Sequence, residues 1–99
     1  MRHLIVQYTV KPDRAAENQQ LIERVFEELR RTTPAGLHYE VFTQPNGITF
    51  VHVASFDDAI GENPLPKLPA FQAFQAGIQD RCDIPPAATD LTAVAAYRA

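Results

Sequence analysis

Residues 2–10, Arg-His-Leu-Ile-Val-Gln-Tyr-Thr-Val, are rich in β-branched and aromatic side chains, and Lys11-Pro12-Asp13 stops the run. That pattern predicts a first strand with Leu4, Val6, Tyr8 and Val10 on one face and His3, Ile5, Gln7 and Thr9 on the other. The period then changes. From Asp13 to about Thr32, Leu21, Ile22, Val25, Phe26 and Leu29 recur at helical spacing while Glu and Arg fill the opposite side, which predicts one long amphipathic helix. Arg30 and Arg31 lie in its last turn, where the helix dipole favours cations, and Pro34-Ala35-Gly36 ends it.

Leu37 to Gln44 and Ile48 to Phe56 return to strand character on either side of Pro45-Asn46-Gly47, whose Asn-Gly pair tolerates the positive φ of a tight hairpin turn. In the second strand Leu37, Tyr39 and Val41 form the apolar set, and His38, Glu40 and Phe42 face the other way. The third strand splits into a bulky set, Ile48, Phe50, His52, Ala54 and Phe56, against Thr49, Val51, Val53 and Ser55. Residues 57–69 hold three of the eight prolines and read as a loop with one short helical turn. Leu68, Phe71, Phe74, Gln75, Ile78 and Cys82 then share one stripe of a second, shorter helix that Pro69 opens. Pro85-Pro86 closes this section, and Ala88 to Arg98 is a last extended run.

Strand, helix, strand, strand, helix, strand is the order of a ferredoxin-like βαββαβ sandwich: an α+β domain with a four-stranded antiparallel sheet and two helices on one face. Right-handed crossovers put strands one and three in the centre. His52 is thereby directed under the helices, beside Val6 and Tyr8. The uncovered face carries Ile5, Phe42, Val51 and Val53, an apolar patch that predicts a symmetric homodimer packed sheet on sheet.

The chain's 99 residues suit a single domain, 1–99, and 45% apolar with 21% charged residues is the composition of a folding chain. Nine Lys plus Arg against twelve Asp plus Glu give a net charge of -3, which speaks against nucleic acid as a partner. No apolar run reaches the roughly 20 residues that span a bilayer, so no membrane partner is expected. The lone Cys82 cannot form an internal disulfide, and these features together predict a soluble cytoplasmic protein.

Three stretches resemble the antibiotic-biosynthesis-monooxygenase group of the dimeric α/β-barrel superfamily. They are the Lys11-Pro12-Asp13 turn, Gly36-Leu37-His38-Tyr39-Glu40-Val41-Phe42 opening the second strand, and Pro69-Ala70-Phe71-Gln72-Ala73-Phe74 on the second helix. The resemblance covers nearly the whole chain and implies a homodimer whose sheets close into a barrel. It includes cofactor-free oxygenases of aromatic polyketides, haem-degrading enzymes and quinol oxygenases. The group often ends its third strand with a Glu two residues before a Trp; here those places hold Ala54 and Phe56, and the sequence has no Trp. The haem-degrading branch uses an Asn, a Trp and a His where this chain has Val6, Phe56 and Gln75, none of which can serve iron in those roles. Arg2-His3-Leu4-Ile5-Val6 also resembles the stress-responsive and polyketide-cyclase group, but in the turn register Leu4 occupies that group's histidine position and His3 points away.

His52 is the leading chemical candidate, because a neutral imidazole beneath the helices could take a proton from a phenol or an activated carbon acid. Tyr8 and Tyr39, on the same face, could donate to or orient the substrate; the alternative is a buried histidine satisfied by a tyrosine hydroxyl or a backbone carbonyl. Phe50, Phe56, Phe71 and Phe74 are candidate walls of an aromatic-ligand cavity, completed by Val6, Gln75 and Ile78, and the alternative is plain core packing. His3, His38 and His52 lie on three different strands with no carboxylate at ligand spacing, so no metal site is expected. There is no Gly-rich phosphate loop, Ser-His-Asp pattern or dinucleotide fingerprint, and no cofactor is expected. Cys82, at the end of the second helix, reads as a packed thiol whose pKa the dipole raises. Arg2 and Arg98 could flank each other on adjacent edge positions of strands one and four, and solvated termini are the expected alternative.

These features lead to a small-molecule-binding protein, read as a cofactor-independent monooxygenase of a small aromatic or quinone-type substrate. The alternatives are a non-catalytic ligand-binding or structural dimer, and a cyclase or isomerase using the same base. A water-accessible void touching His52 would favour an enzyme or a ligand binder; tight filling by Phe50, Phe71 and Phe74 would favour a purely structural dimer.

Overall fold

A computed structural model of the chain describes residues 1–99, apart from the side chain of residue 60. Its strands are β1 (Arg2–Val10), β2 (Leu37–Thr43), β3 (Thr49–Phe56) and β4 (Cys82–Leu91), in the order β2-β3-β1-β4 with every pairing antiparallel. The helices are α1 (Ala15–Thr32), α2 (Pro69–Gln75) and α3 (Ile78–Arg81). This is the ferredoxin-like α+β fold.

Between β2 and β3, Asn46 Oδ1 accepts from the backbone N–H of Ile48 and Thr49, and Gly47 takes φ +73°, so the hairpin turn is built by the Asn-Gly pair. The register sets Val6 opposite His52 and Val41 opposite His52 from the other side, with Tyr8 opposite Phe50. Tyr8, Val10, Phe50, His52, Ala54 and Phe56 are buried on the face that packs against Ile22, Val25 and Phe74. α1 is also tied to α2, whose Ala70 N–H donates to Glu28 Oε1 at 3.2 Å.

The second half of the chain departs from the sequence pattern in two places. The second helix is broken: α2 ends at Gln75, Gly77 turns the chain at φ +74°, and α3 adds a single turn. Only glycine makes that turn without strain. Cys82 therefore caps α3 and is at once the first residue of β4. Burial raises its thiol pKa.

The last strand runs from Cys82 to Leu91, not from Ala88 to Arg98, and Pro85-Pro86 lies inside it. Two prolines are tolerated because β4 is an edge strand and its pairing with β1 slips between Gln7 and Thr9, where Ala87 and Ile84 are the partners. A bulge on an edge needs no N–H from proline. Residues 92–99 follow as an exposed tail, so Arg98 does not flank Arg2. Arg2 instead pairs with Asp90 at 3.2 Å, and its guanidinium lies 5.6 Å from the centre of the Phe56 ring.

On the uncovered face Ile5 stands opposite Val53, and Val51 opposite Phe42. Phe42 is 52% exposed. Among the described residues no helix is long and apolar enough to cross a membrane.

Candidate functional site

Between the sheet and α2–α3 lies a cavity of about 390 Å³. Its floor is Leu4, Val6 and Tyr8 from β1, Tyr39 from β2, and His52 and Ala54 from β3. Phe71, Phe74, Gln75, Ile78 and Gln79 form the opposite wall, and Asn63, Leu65 and Pro86 close the sides. The walls are mostly apolar, with a few convergent polar groups at one end, which is the composition of a small-molecule site. A larger, more open trough of about 550 Å³ between α1 and β2 is lined by the charged Glu23, Glu27, Arg30 and Glu40 and is bordered by the other side of Tyr39.

The polar end is a hydrogen-bonded row. Tyr8 Oη lies 2.7 Å from His52 Nε2, and Tyr39 Oη 2.5 Å from His52 Nδ1. Strand alternation and the antiparallel register bring these three side chains from β1, β3 and β2 onto one face. Tyr8 is fixed from below by Phe50, with stacked rings 5.6 Å apart, and Tyr39 by Phe26 of α1, stacked at 5.1 Å. Burial lowers the His52 pKa from 6.5 to about 4 and pushes both tyrosine phenols well above their ordinary value. At neutral pH the row is uncharged, with one proton on the imidazole and one on each hydroxyl.

The depressed His52 pKa has a consequence for stability. Between about 4 and 6.5 the unfolded chain binds a proton at this site that the folded chain does not. The contribution is complete above pH 6.5 and is lost progressively as pH falls toward about 4. Urea titrations across this range should show unfolding free energy rising with pH, and His52→Gln should flatten that part of the curve. An unchanged slope in the variant would assign the effect to other groups.

The sequence-derived candidates are distributed as follows. Val6, Phe71, Phe74, Gln75 and Ile78 line the cavity together with His52, Tyr8 and Tyr39. Phe50 lies beneath Tyr8 and Phe56 beneath Arg2, and neither lines it. His3 Nδ1 lies 2.7 Å from Ser55 Oγ and His38 is exposed, so the three histidines do not converge. Among the described residues no cluster of three His, Cys, Asp or Glu side chains could hold a metal ion.

Two residues behind the row escaped the sequence reading. Asn18 of α1, 0% exposed, donates from Nδ2 to Tyr8 Oη at 2.9 Å and accepts from Arg81 Nε at 3.2 Å. Arg81 of α3, 2% exposed, also donates to the carbonyls of Ala76 and Phe74. A signal existed: Asn18 precedes Ile22 and Val25 by four and seven positions, on the helix's apolar stripe. Arg81 likewise follows Phe74 and Ile78 by seven and three.

No family model and no curated protein matches the sequence. Solved structures match in shape. An antibiotic biosynthesis monooxygenase superposes with a TM-score of 0.79 at 20% identity, covering 96% of this chain and 100% of that one. Rv0793 from Mycobacterium tuberculosis gives 0.76 at 17% identity, covering 98% of each chain. A mutant of SnoaB, a cofactor-independent oxygenase from Streptomyces nogalater, gives 0.68 at 15% identity, covering 96% of this chain and 94% of that one.

Proposed function

We propose that this chain, which has the fold of antibiotic biosynthesis monooxygenase-like proteins, binds a small aromatic or quinone-type molecule and oxygenates it without a cofactor. One observation carries the reading: the apolar cavity ends in the Tyr8–His52–Tyr39 row, so an aromatic body has a dry place to lie and its oxygen has polar partners.

The chemistry needs little more. An electron-rich phenol ring supplies both electrons and hydrogens for its own oxidation. One atom of O₂ becomes the new carbonyl oxygen of a quinone, the other leaves as water, and no external reductant is required. The protein's part is to bind the ring, exclude water and stabilise negative charge on the substrate oxygen. Both ring nitrogens of His52 are bonded to phenols, so a ligand proton reaches the imidazole only through a tyrosine. Oxygen uptake by the pure protein with a panel of phenols and quinols tests the proposal. Absence of uptake alongside measurable binding would favour the second reading, a non-catalytic ligand-binding dimer, whose support is the low basicity of His52.

In this reading the functional unit is a homodimer formed through the uncovered sheet face. Its support is the continuous apolar set Ile5, Phe42, Val51 and Val53. Sedimentation velocity should return twice the chain mass, and Val53→Lys, which puts a charge in the middle of that set, should shift the species to one chain. A wild-type monomer at micromolar concentration would refute the dimer.

A further inference from the structure

We propose that Arg81 and Asn18 are positioning residues that fix the direction of the buried hydrogen-bond row, so that the cavity presents Tyr39 as a donor and selects a ligand oxygen that accepts. The inference rests on the cavity being a ligand site and narrows its ligand class to phenolates, enolates and quinone carbonyls.

The argument follows the protons outward from Arg81. A guanidinium has donors and no acceptor, so the atom of Asn18 facing it is the carbonyl oxygen, and the amide nitrogen faces Tyr8. Tyr8 Oη thus accepts from Asn18. Its own proton goes to its second partner, His52 Nε2, at 2.7 Å. That nitrogen is then unprotonated, and a neutral imidazole carries its single proton on Nδ1. Nδ1–H donates to Tyr39 Oη. The Tyr39 proton is left over, on a side chain that lines the cavity.

The opposite direction makes as many bonds within the row but leaves its spare proton on the more deeply buried hydroxyl. If Tyr39 donated to Nδ1, then Nε2–H would donate to Tyr8, whose oxygen would already accept from Asn18. The spare proton would then sit on Tyr8, whose oxygen already accepts twice and which is 1% exposed, whereas Tyr39 is only part-buried and its spare proton is the better placed for a ligand. Rotating the Asn18 amide to rescue it would aim two donors at each other at Arg81. A neutral phenol that must donate its proton therefore meets a donor, whereas a phenolate or carbonyl oxygen meets a partner. Within the oxygenase reading, substrate enters already ionised, a quinone carbonyl binds as a ligand without being oxygenated, and His52 orients Tyr39 instead of removing a proton.

Two measurements on the full chain test this separately. A long-range ¹H–¹⁵N correlation of ¹⁵N-histidine-labelled protein, without ligand, reports the His52 tautomer. Nδ1–H is expected in the wild type. In Asn18→Asp, which keeps the shape and the pairing with Arg81 but turns a donor into an acceptor, Nε2–H is expected. An Nε2–H tautomer in the wild type overturns the proposal, and that spectrum decides it even if the variant fails to fold.

The second measurement titrates 4-nitrophenol at a pH equal to its own pKa and follows the visible phenolate band. The wild type should bind the anion, with the preference for phenolate over phenol about ten-fold weaker or reversed in Asn18→Asp. Binding of the neutral phenol by the wild type overturns the ligand assignment. No binding of either form, with the expected tautomer present, overturns the ligand-site reading of the cavity and supports the lock as a structural device.

Discussion

Replacing Arg81 with Ala is expected to lower the free energy of unfolding by about 3 kcal/mol or more, because the guanidinium is the partner of two buried oxygens and a part-buried one at once. Asn18 Oδ1 and the carbonyls of Phe74 and Ala76 lose their donor, and the Phe74 ring, 5.4 Å from the guanidinium carbon, loses the cation beneath it. A domain of this size loses roughly 4–8 °C of Tm per kcal/mol, so the midpoint should fall by more than about 10 °C. Arg81→Met keeps much of the buried stem and should recover only part of the loss. Thermal and urea unfolding followed by circular dichroism measure both variants. A change below about 1 kcal/mol in Arg81→Ala would mean that water satisfies the three oxygens and that Arg81 is dispensable to the fold.

His52→Ala carries the largest expected effect on activity. Oxygen uptake with the best phenolic substrate should drop by about 100-fold or more, the usual scale for removing a group that holds the reacting oxygen's partner in place. The fall should appear mainly in kcat, because the apolar walls that bind the ring remain. The imidazole does not act alone: removing it separates Tyr8 from Tyr39 and leaves both phenols without their shared partner. Tyr39→Phe should therefore reproduce most of the loss while leaving His52 bonded to Tyr8. Wild-type rates in His52→Ala would dismiss the row as catalytic machinery.

How far the sequence could lead depended on whether a feature was set locally. β1, α1 and the β2–β3 hairpin are written in short-range patterns: alternation, a helical stripe, and the Asn46-Gly47 turn. The meeting of Tyr8, Tyr39 and His52 then follows from alternation once the strand order is known, so the row was legible in its members. Its hydrogen bonds were not. Asn18 and Arg81 are 63 residues apart, and only tertiary packing tells a buried amide from one on a solvated helix face. The break at Gly77 was missed because the apolar stripe from Leu68 to Cys82 continues through it, and the stripe outweighed the glycine. In β4, Pro85-Pro86 has the local signature of a terminator because a proline pair is incompatible with an interior strand; position at the sheet edge, a global property, removes the conflict.

The break at Gly77 also bears on redesign of the cavity. It leaves the carbonyls at the end of α2 needing a donor, and the side chain that supplies it is the one that aims Asn18. Helix termination and ligand polarity thus share a single guanidinium, and a library that varies position 81 to change ligand preference would lose most of its members to unfolding. Gln75 and Gln79 line the cavity without carrying that double duty. Specificity can be altered at those two positions with the thermal margin left intact.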